Sequence, residues 1–201
     1  MGYQVDERAL ERTGIPRRYW GAESELRLPE PQGGGLYIWG NTPGTGKTHT
    51  ACAVALSFLR GGRPLRAVGT GEVVAYSRPT VRFVSMVDAG RTVRDTFGTR
   101  RSPADYRRML ERCDLLVLDD VGAEAPTAWA QEFLYDLVGA RYNAMLPIVV
   151  TSNYSRPQLA ERIAYGTDRT TAMRIVSRLA EVTVPVEMAG PDRRVRAGGL
   201  A

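Results

Sequence analysis

The segment most informative about the architecture of this chain reads Gly40-Asn41-Thr42-Pro43-Gly44-Thr45-Gly46-Lys47-Thr48. A short apolar run rich in strand-forming residues precedes it at 36–39, and a helix-compatible run follows it at 49–60. A strand, a glycine-rich turn and a helix in this order are the setting of a Walker A phosphate-binding loop. The glycines let backbone N–H groups surround a phosphate, and the helix N-terminus adds a partial positive charge. The segment therefore predicts a nucleotide site.

Two side chains of this loop carry the expected chemistry. Lys47 would reach the β- and γ-phosphates of ATP, and the Thr48 hydroxyl would ligate Mg²⁺. The Walker A pattern places a glycine at position 41, where this chain has Asn41, a residue that tolerates left-handed backbone angles. An ordinary glycine-rich turn is the alternative interpretation. The predicted ATP-binding residues are Asn41, Pro43, Gly44, Thr45, Gly46, Lys47, Thr48 and His49.

The composition supports the choice of Lys47. The chain has 201 residues, 27 of them basic, and Lys47 is its only lysine among 26 arginines. An accidental turn has no reason to contain the single lysine, so position 47 favours a phosphate ligand. The length is enough for one well-packed domain and too short for two large ones. The net charge of +5 permits a polyanionic partner without requiring one.

Other features of the composition exclude several classes of protein. No apolar run approaches the roughly 18 residues that a membrane-spanning helix needs, and the N-terminus has no apolar signal segment, so we expect no membrane association and a cytoplasmic location. Cys52 and Cys113 are far apart and lack the spacing of a metal site. Cys113 precedes an apolar run, which favours a reduced thiol in the core, and a structural zinc site is not expected.

Two carboxylates end the next strongly apolar run, Leu115-Leu116-Val117-Leu118-Asp119-Asp120. A buried parallel strand would deliver them to the carboxyl edge of the sheet, next to bound phosphates. We expect Asp119 to hold Mg²⁺ through water and Asp120 to orient the attacking water. Many ATPases have glutamate at the second position, so Asp120 predicts slow hydrolysis or assistance from Glu124.

A further strand at 146–153 ends in polar residues, of which Asn153 is the candidate contact to the γ-phosphate or to the lytic water. The alternative role for Asn153 is to cap a helix at 157–163. Between the two strands, 126–143 has helical periodicity. Its apolar side is expected in the core rather than as a platform for stacking bases, and consists of Trp129, Phe133, Leu134, Leu137 and Val138.

Five segments in the same order make the chain similar to a known family: 44–49, 115–124, 131–142, 146–154 and 174–179. Together they resemble the AAA+ ATPases of the bacterial and phage replicative helicase loaders (DnaC/DnaI/IstB-like). Segment 11–19 also resembles the sequence that leads into that ATPase domain, so the likeness covers nearly the whole chain.

The resemblance implies an α/β P-loop NTPase fold of AAA+ type with a central parallel sheet of strand order 5-1-4-3-2 and no C-terminal lid domain. It further implies a homo-oligomer with shared ATP sites, in which Arg178 is the arginine finger for the next subunit and Arg194 is a second sensor, a role that Arg193 could also take. For Arg178 and Arg194 the alternative is a surface ion pair. The expected organisation is a short N-terminal arm at 1–32 and the AAA+ ATPase domain at 33–201.

A basic stretch at 91–112 contains seven arginines and three acidic residues, a net charge of +4. In a spiral ATPase this region would face the pore, and the candidate contacts to single-stranded DNA are Arg94, Arg100 and Arg101. A solvated helix face is the alternative. The segment 61–80 is predicted to be a loop or hairpin, without assignable chemistry.

The function expected from the resemblance is that of an ATP-dependent DNA replication factor. With ATP it would oligomerise on single-stranded DNA and help to load a replicative helicase, with slow, assembly-dependent hydrolysis. Helicase loaders usually have a separate N-terminal domain, so the way in which residues 1–32 would contact a helicase stays open. The alternatives are an IstB-like accessory ATPase of transposition and, from a different class, a small nucleotide or metabolite kinase with an acceptor pocket.

Overall fold

A computed structural model of the chain describes residues 5–29, 34–96 and 102–193, with the backbone alone at 63–66 and 94–96. The described strands are β1 (Gly35–Trp39), β2 (Arg63–Arg66), β3 (Val73–Ser77), β4 (Val81–Ser85), β5 (Leu115–Asp119), β6 (Ile148–Ser152) and β7 (Thr183–Glu187). The described α-helices are α1 (Glu7–Thr13), α2 (Lys47–Gly61), α3 (Met86–Thr96), α4 (Pro103–Arg112), α5 (Ala128–Asn143), α6 (Arg156–Ala164) and α7 (Arg169–Val182), with a 3-10 helix at Arg17–Tyr19.

Five strands form a parallel sheet in the order β4-β5-β6-β1-β7. Numbered within this sheet in chain order and read from the β7 edge, the order is 5-1-4-3-2, which confirms the predicted α/β fold. Strands β2 and β3 form a separate antiparallel hairpin, so the expectation of a loop or hairpin at 61–80 is also confirmed.

Alternate residues of the central strands pack on opposite faces of the sheet, as the pleat of a β-strand requires. Leu115 and Val117 face a cluster built around α2, whereas Leu116 and Leu118 face a cluster formed with α5, α6 and α7. All four side chains are at most 1% exposed, which explains why β5 is apolar at every position before its acids. The sheet therefore separates the helix of the phosphate loop from α5 and α7.

The N-terminal segment packs on the α2 side of the sheet. Asp6 caps α1 by accepting a hydrogen bond from Ala9 N, and Gly14 ends the helix in the left-handed conformation. Ile15 and Ala22 are buried in the same cluster as α2, and Trp20 Nε1 donates to the Ile15 carbonyl at 2.8 Å. Residues 15–22 consequently pack beside α2, the helix that follows the phosphate loop.

One predicted core residue lies elsewhere. Helix α5 begins after its N-cap Thr127, which places Trp129 in the first turn, 39% exposed and stacked on Phe133 with ring centroids 5.2 Å apart. The expectation that Trp129 lies in the core is therefore wrong, because the helix starts at the rim of the sheet.

Cys52 and Cys113 are both buried and free, as expected for Cys113. Among the described helices none combines the length and apolar character needed to cross a bilayer.

Candidate functional site

The loop at 40–46 joins β1 to α2 and has the backbone geometry of a phosphate cradle. Gly44 and Gly46 have φ angles of 74° and 102°, a region that side chains other than glycine seldom adopt. Gly46 is also the N-cap of α2, so no side chain caps the first turn of that helix. The first turn of α2 thus presents backbone N–H groups and the positive end of the helix to the cradle.

Lys47 is held across this loop. Its side chain is 6% exposed, and its ammonium donates hydrogen bonds to the carbonyls of Gly40 at 2.8 Å and Thr42 at 2.9 Å. A phosphate in the cradle would compete with these carbonyls for the same ammonium. The structure therefore places the only lysine of the chain where the sequence predicted a phosphate ligand.

Asp119 lies directly opposite Thr48, at the carboxyl end of β5. Thr48 Oγ1 donates to Asp119 Oδ2 at 3.2 Å, and Thr151 Oγ1 donates to Asp119 Oδ1 at 2.7 Å. Burial raises the pKa of Asp119 to about 6, and the nearby charge of Asp120 adds to the increase, while the hydrogen bonds from Thr151 and Thr48 oppose it. The buried carboxylate is thus a costly charge in the absence of a cation.

This donor set fits Mg²⁺. A hydroxyl and a carboxylate are hard oxygen donors, and Mg²⁺ is commonly held by one or two such groups together with water and phosphate oxygens. Among the described residues no group of three or more His, Cys, Asp or Glu side chains could hold a metal ion. Thr48 and Asp119 are the candidate ligands because their oxygens meet at 3.2 Å. Thr151 was missed by the sequence reasoning, although its position at the polar end of an apolar strand was a usable signal.

Asp120 follows β5 in an unusual backbone conformation. Its φ angle is 55°, and its N–H donates to Thr151 Oγ1 at 2.9 Å, so the same threonine orients both acidic residues. A left-handed conformation at a residue other than glycine costs about 1–2 kcal/mol. The hydrogen bond from Asp120 N to Thr151 stabilises this conformation and fixes the position of the Asp120 backbone from which the side chain extends.

Glu124, the possible helper of Asp120, is bound to its own loop. Its Oε2 accepts a hydrogen bond from Gly122 N at 2.8 Å, and Arg162 donates to the carbonyls of Gly122 and Glu124. Burial is the main cause that raises the pKa of Glu124. These contacts give Glu124 a role in shaping the loop after β5.

Asn153 is the first residue after β6, at the same edge of the sheet as the phosphate loop. The pairing of Trp39 with Ser152, and the hydrogen bond from Gly40 N to the Ser152 carbonyl at 3.2 Å, bring the two segments together. The N-cap of α6 is Ser155, which forms a capping box with Gln158. The alternative role of Asn153 as the cap of this helix is therefore wrong.

Arg178 lies away from the cradle. It belongs to α7, which packs against α5 and α6 on the side of the sheet opposite α2, and its Cζ lies 4.7 Å from the centroid of the Tyr135 ring. The structure does not bring Arg178 together with Lys47, Thr48 and Asp119 of its own chain.

The remaining predicted residues fall partly outside the described region. Arg100, Arg101 and Arg194 are not among the described residues, and only the backbone of Arg94 is described, in α3. His49 is exposed, and its ring meets the Tyr19 ring edge to face with centroids 6.2 Å apart. Near this pair, Arg18 lies over Tyr19 at 4.6 Å. The sequence reasoning gave Arg18 and Tyr19 no role, although they end the N-terminal segment that resembled the family.

The segment after β7 lies across the phosphate loop. Arg193 N donates to the Gly44 carbonyl at 3.0 Å, and a Cβ placed on Gly46 would lie 3.4 Å from Arg193 Nη1. A Cβ placed on Gly44 would lie 1.7 Å from Asp192 Oδ1, so the Asp192 carboxylate lies directly against the cradle. Arg193 therefore lies beside the cradle, and the position of Asp192 was not predicted.

Several arginines of the basic stretch are engaged with acidic side chains. Arg91 pairs with Asp88 at 3.2 Å, Arg107 pairs with Glu111 at 3.2 Å, and Arg108 pairs with Asp105 at 3.6 Å. These pairs are partly exposed and follow helical spacing, as in a solvated helix face. The charge of these three side chains is therefore partly neutralised within the protein.

Comparisons with known proteins agree with this geometry. The model of the family described as IstB-like ATP binding protein matches residues 36–199. The replicative helicase loader DnaI of Bacillus subtilis is 25% identical over 168 residues, which are 81% of this chain and 48% of that protein. The replicative helicase loader DnaC of Escherichia coli K12 is 22% identical over 126 residues, 62% of this chain and 45% of that protein. The chain thus spans about half the length of these relatives.

Solved structures share the fold. A crystal structure of the DnaC helicase loader superposes with a TM-score of 0.62 at 21% sequence identity, covering 87% of this chain and all of that chain. A crystal structure of DnaI gives a TM-score of 0.58 at 20% identity, covering 93% of this chain and 88% of that chain.

Proposed function

Because this chain belongs to the family of IstB-like ATP-binding proteins, we propose that it is an Mg²⁺-dependent ATPase of DNA replication that is active as an oligomer with shared ATP sites. The observation that carries the proposal is the contact of Thr48 with Asp119 at 3.2 Å beneath a glycine-rich loop that holds Lys47. This contact joins the phosphate-binding and metal-binding halves of the site.

Different side chains of this protein have separate roles in ATP hydrolysis. ATP supplies the transferred phosphoryl group and Mg²⁺ neutralises charge on its oxygens. Lys47 and the N–H groups at the start of α2 bind the phosphates, and Thr48 and Asp119 hold the cation. Asp120 orients the attacking water and accepts its proton, with Asn153 as a polar contact from the neighbouring strand.

The position of Arg178 supports the shared site. A guanidinium stabilises the charge that develops on the γ-phosphate, and an arginine supplied by a second protomer makes turnover depend on assembly. Arg178 lies on α7, across the sheet from α2, and we propose that it serves the site of a neighbouring protomer rather than its own. In this proposal the monomer binds ATP and hydrolyses it slowly.

The client of the assembly is proposed to be a replicative helicase on single-stranded DNA. Two relatives that the chain matches are named replicative helicase loaders. The basic stretch at 91–112, with a net charge of +4, would contact the phosphate backbone, and the affinity would fall steeply with salt. Arg94, Arg100 and Arg101 remain the candidate contacts.

A second candidate is an accessory ATPase of transposition. The description of the matching family as IstB-like favours it, and the same ATP site would serve it. The two candidates differ in the client protein, a helicase in one case and a transposase in the other. The third alternative, a small-molecule kinase, is not supported by the family to which the chain belongs.

Size measurement with a non-hydrolysable ATP analogue tests the proposal. We expect a monomer without nucleotide, a larger species with the analogue and Mg²⁺, and further growth or stabilisation with single-stranded DNA and a replicative helicase. The Lys47→Ala variant is the matched control and should stay monomeric. A protein that remains monomeric with the analogue and DNA, and that phosphorylates nucleoside monophosphates, would contradict the proposal.

A further inference from the structure

Helices α5 and α7 share a face on the side of the sheet away from the phosphate loop. It is formed by residues at helical spacings of four and three: Tyr135, Gly139 and Tyr142 of α5, with Arg174, Arg178 and Glu181 of α7. At one end Tyr142 donates a hydrogen bond to Glu181 Oε1 at 2.8 Å. At the other end Arg178 lies over Tyr135, so the two tyrosines flank a slot at Gly139.

The guanidinium of Arg178 is oriented by Tyr135. Its Cζ lies 4.7 Å from the centroid of the half-buried ring, within the range of a cation–π contact. Hydrogen bonding with Arg178 also contributes most to lowering the pKa of the Tyr135 hydroxyl, and Arg174 contributes to a smaller extent. Tyr135 thus restrains a long and otherwise flexible side chain.

Gly139 provides the space for this arrangement. The residue is in the middle of α5 with helical backbone angles, so no turn requires a glycine there, and glycine is less favourable than alanine in a helix interior. A Cβ placed on Gly139 would lie 2.7 Å from Arg178 Nη1. The absence of a side chain at 139 therefore lets the guanidinium lie against the helix backbone.

We propose that Tyr135 and Gly139 form a seat that positions the Arg178 guanidinium for the ATP site of the neighbouring protomer before the protomers assemble. The inference rests on the proposed function, in which Arg178 acts in that neighbouring site. A positioned arginine loses less side-chain freedom when it meets the γ-phosphate, and a misplacement of about 1 Å lowers turnover by as much as a hundredfold. Tyr135 and Gly139 are positioning residues and touch no substrate.

Three variants separate positioning from folding. Tyr135→Ala removes the ring, Tyr135→Phe retains the ring and removes the hydroxyl, and Gly139→Ala displaces the guanidinium while favouring the helix. We expect kcat at saturating protein and DNA to fall by roughly tenfold to a hundredfold in Tyr135→Ala and Gly139→Ala, and by less in Tyr135→Phe. The affinity of the protomer for an ATP analogue should stay as in the wild type, and Gly139→Ala should unfold no earlier than the wild type. Glu132→Ala, at an exposed position of α5 that does not contact Arg178, is the matched control with wild-type kcat.

A mixing experiment shows in which protomer the seat acts. Protomers with Lys47→Ala retain Arg178 but cannot use their own ATP site, so they should restore turnover when mixed with Arg178→Ala protomers. Donors that combine Lys47→Ala with Tyr135→Ala should restore at most about a tenth of that turnover. Equal restoration by both donors would overturn the proposal.

Different results would refute the proposed seat and the proposed arginine finger. If Arg178→Ala abolishes turnover while Tyr135→Ala and Gly139→Ala keep the wild-type kcat, the seat is refuted and the proposed function stands. If Arg178→Ala itself has wild-type turnover at all protein concentrations, the shared site is refuted, and the seat with it.

Discussion

At the scale of single residues, the buried carboxylate of Asp119 lowers the stability of the nucleotide-free protein. The carboxylate is 5% exposed, and burial raises its pKa to about 6 from 3.8. Because the folded state favours the protonated form, ionised Asp119 lowers the stability of the nucleotide-free protein as the pH rises from about 4 through 6. A cation at Thr48 and Asp119 would offset this cost.

Replacement of Asp119 by Asn should therefore stabilise the nucleotide-free protein. The pKa difference means that the buried charge of Asp119 destabilises the folded protein by about 3 kcal/mol at high pH. Asparagine removes this cost, but it accepts fewer hydrogen bonds than the carboxylate, which offsets about 1 kcal/mol of the gain. We expect Asp119→Asn to be about 2 kcal/mol more stable at pH 8 and less than about 1 kcal/mol more stable at pH 5, by urea unfolding. With ATP and Mg²⁺ the wild type should recover the difference. A variant less stable than the wild type at pH 8 would contradict this account.

At the scale of elements, Arg141 joins α4, α5 and β6. It is 1% exposed, and its guanidinium donates to the carbonyls of Leu110 and Cys113, both at 2.9 Å, and to the Pro147 carbonyl. These contacts satisfy carbonyls at the C-terminal end of α4, which have no partners within that helix. Burial lowers the pKa of Arg141.

Substitution of Arg141 should be strongly destabilising. Arg141→Ala leaves several buried carbonyls without donors, and we expect a loss of about 3 kcal/mol or more in the free energy of unfolding. Arg91→Ala is the control, because Arg91 is exposed and its pair with Asp88 follows helical spacing, and it should cost under about 0.5 kcal/mol. Similar losses in the two variants, measured by urea unfolding, would show that Arg141 is not a structural link.

The segment after β7 places an acidic side chain beside the phosphate loop. Asp192 lies against Gly44, so its negative charge opposes the binding of phosphate in the cradle. Removal of this charge by Asp192→Asn should tighten the binding of an ATP analogue by about fivefold, since a charge pair at such distances contributes about 1 kcal/mol in a solvated setting. Glu187→Gln, at the end of β7, should leave the affinity within about twofold. Unchanged or weaker binding in Asp192→Asn would show that the carboxylate does not oppose the nucleotide.

At the scale of the whole molecule, the features with local patterns were predictable from the sequence. The glycine-rich loop, the apolar strands and the family resemblance gave the parallel sheet and the positions of Lys47, Thr48 and Asp119 along its edge. The burial of Arg141 was not predictable, because an arginine among helical residues has the same local pattern whether it is solvated or buried. The contact of Asp192 with Gly44 joins residues 148 positions apart, and no local pattern predicts such a contact. Trp129 was misplaced because it shares the helical stripe of Phe133, and periodicity does not show that its position in the first turn of α5 is partly exposed.

The many arginines of the chain do not form one basic surface with a single function. The structure gives individual arginines separate roles: Arg141 supports the fold, Arg162 shapes the loop after β5, and Arg178 is seated on α5. In the proposed assembly ATP is hydrolysed between protomers, with Lys47 and Asp119 from one and Arg178 from the next.

ATP turnover per protomer, measured over a wide range of protein concentration with single-stranded DNA and Mg²⁺, tests whether the ATP site is shared between protomers. We predict that turnover per protomer rises with concentration and then saturates in the wild type, and that Arg178→Ala stays low at every concentration with unchanged affinity for ATP, because an arginine finger contributes about a thousandfold or more. Turnover per protomer that is independent of concentration, or that is retained in Arg178→Ala, would contradict the account.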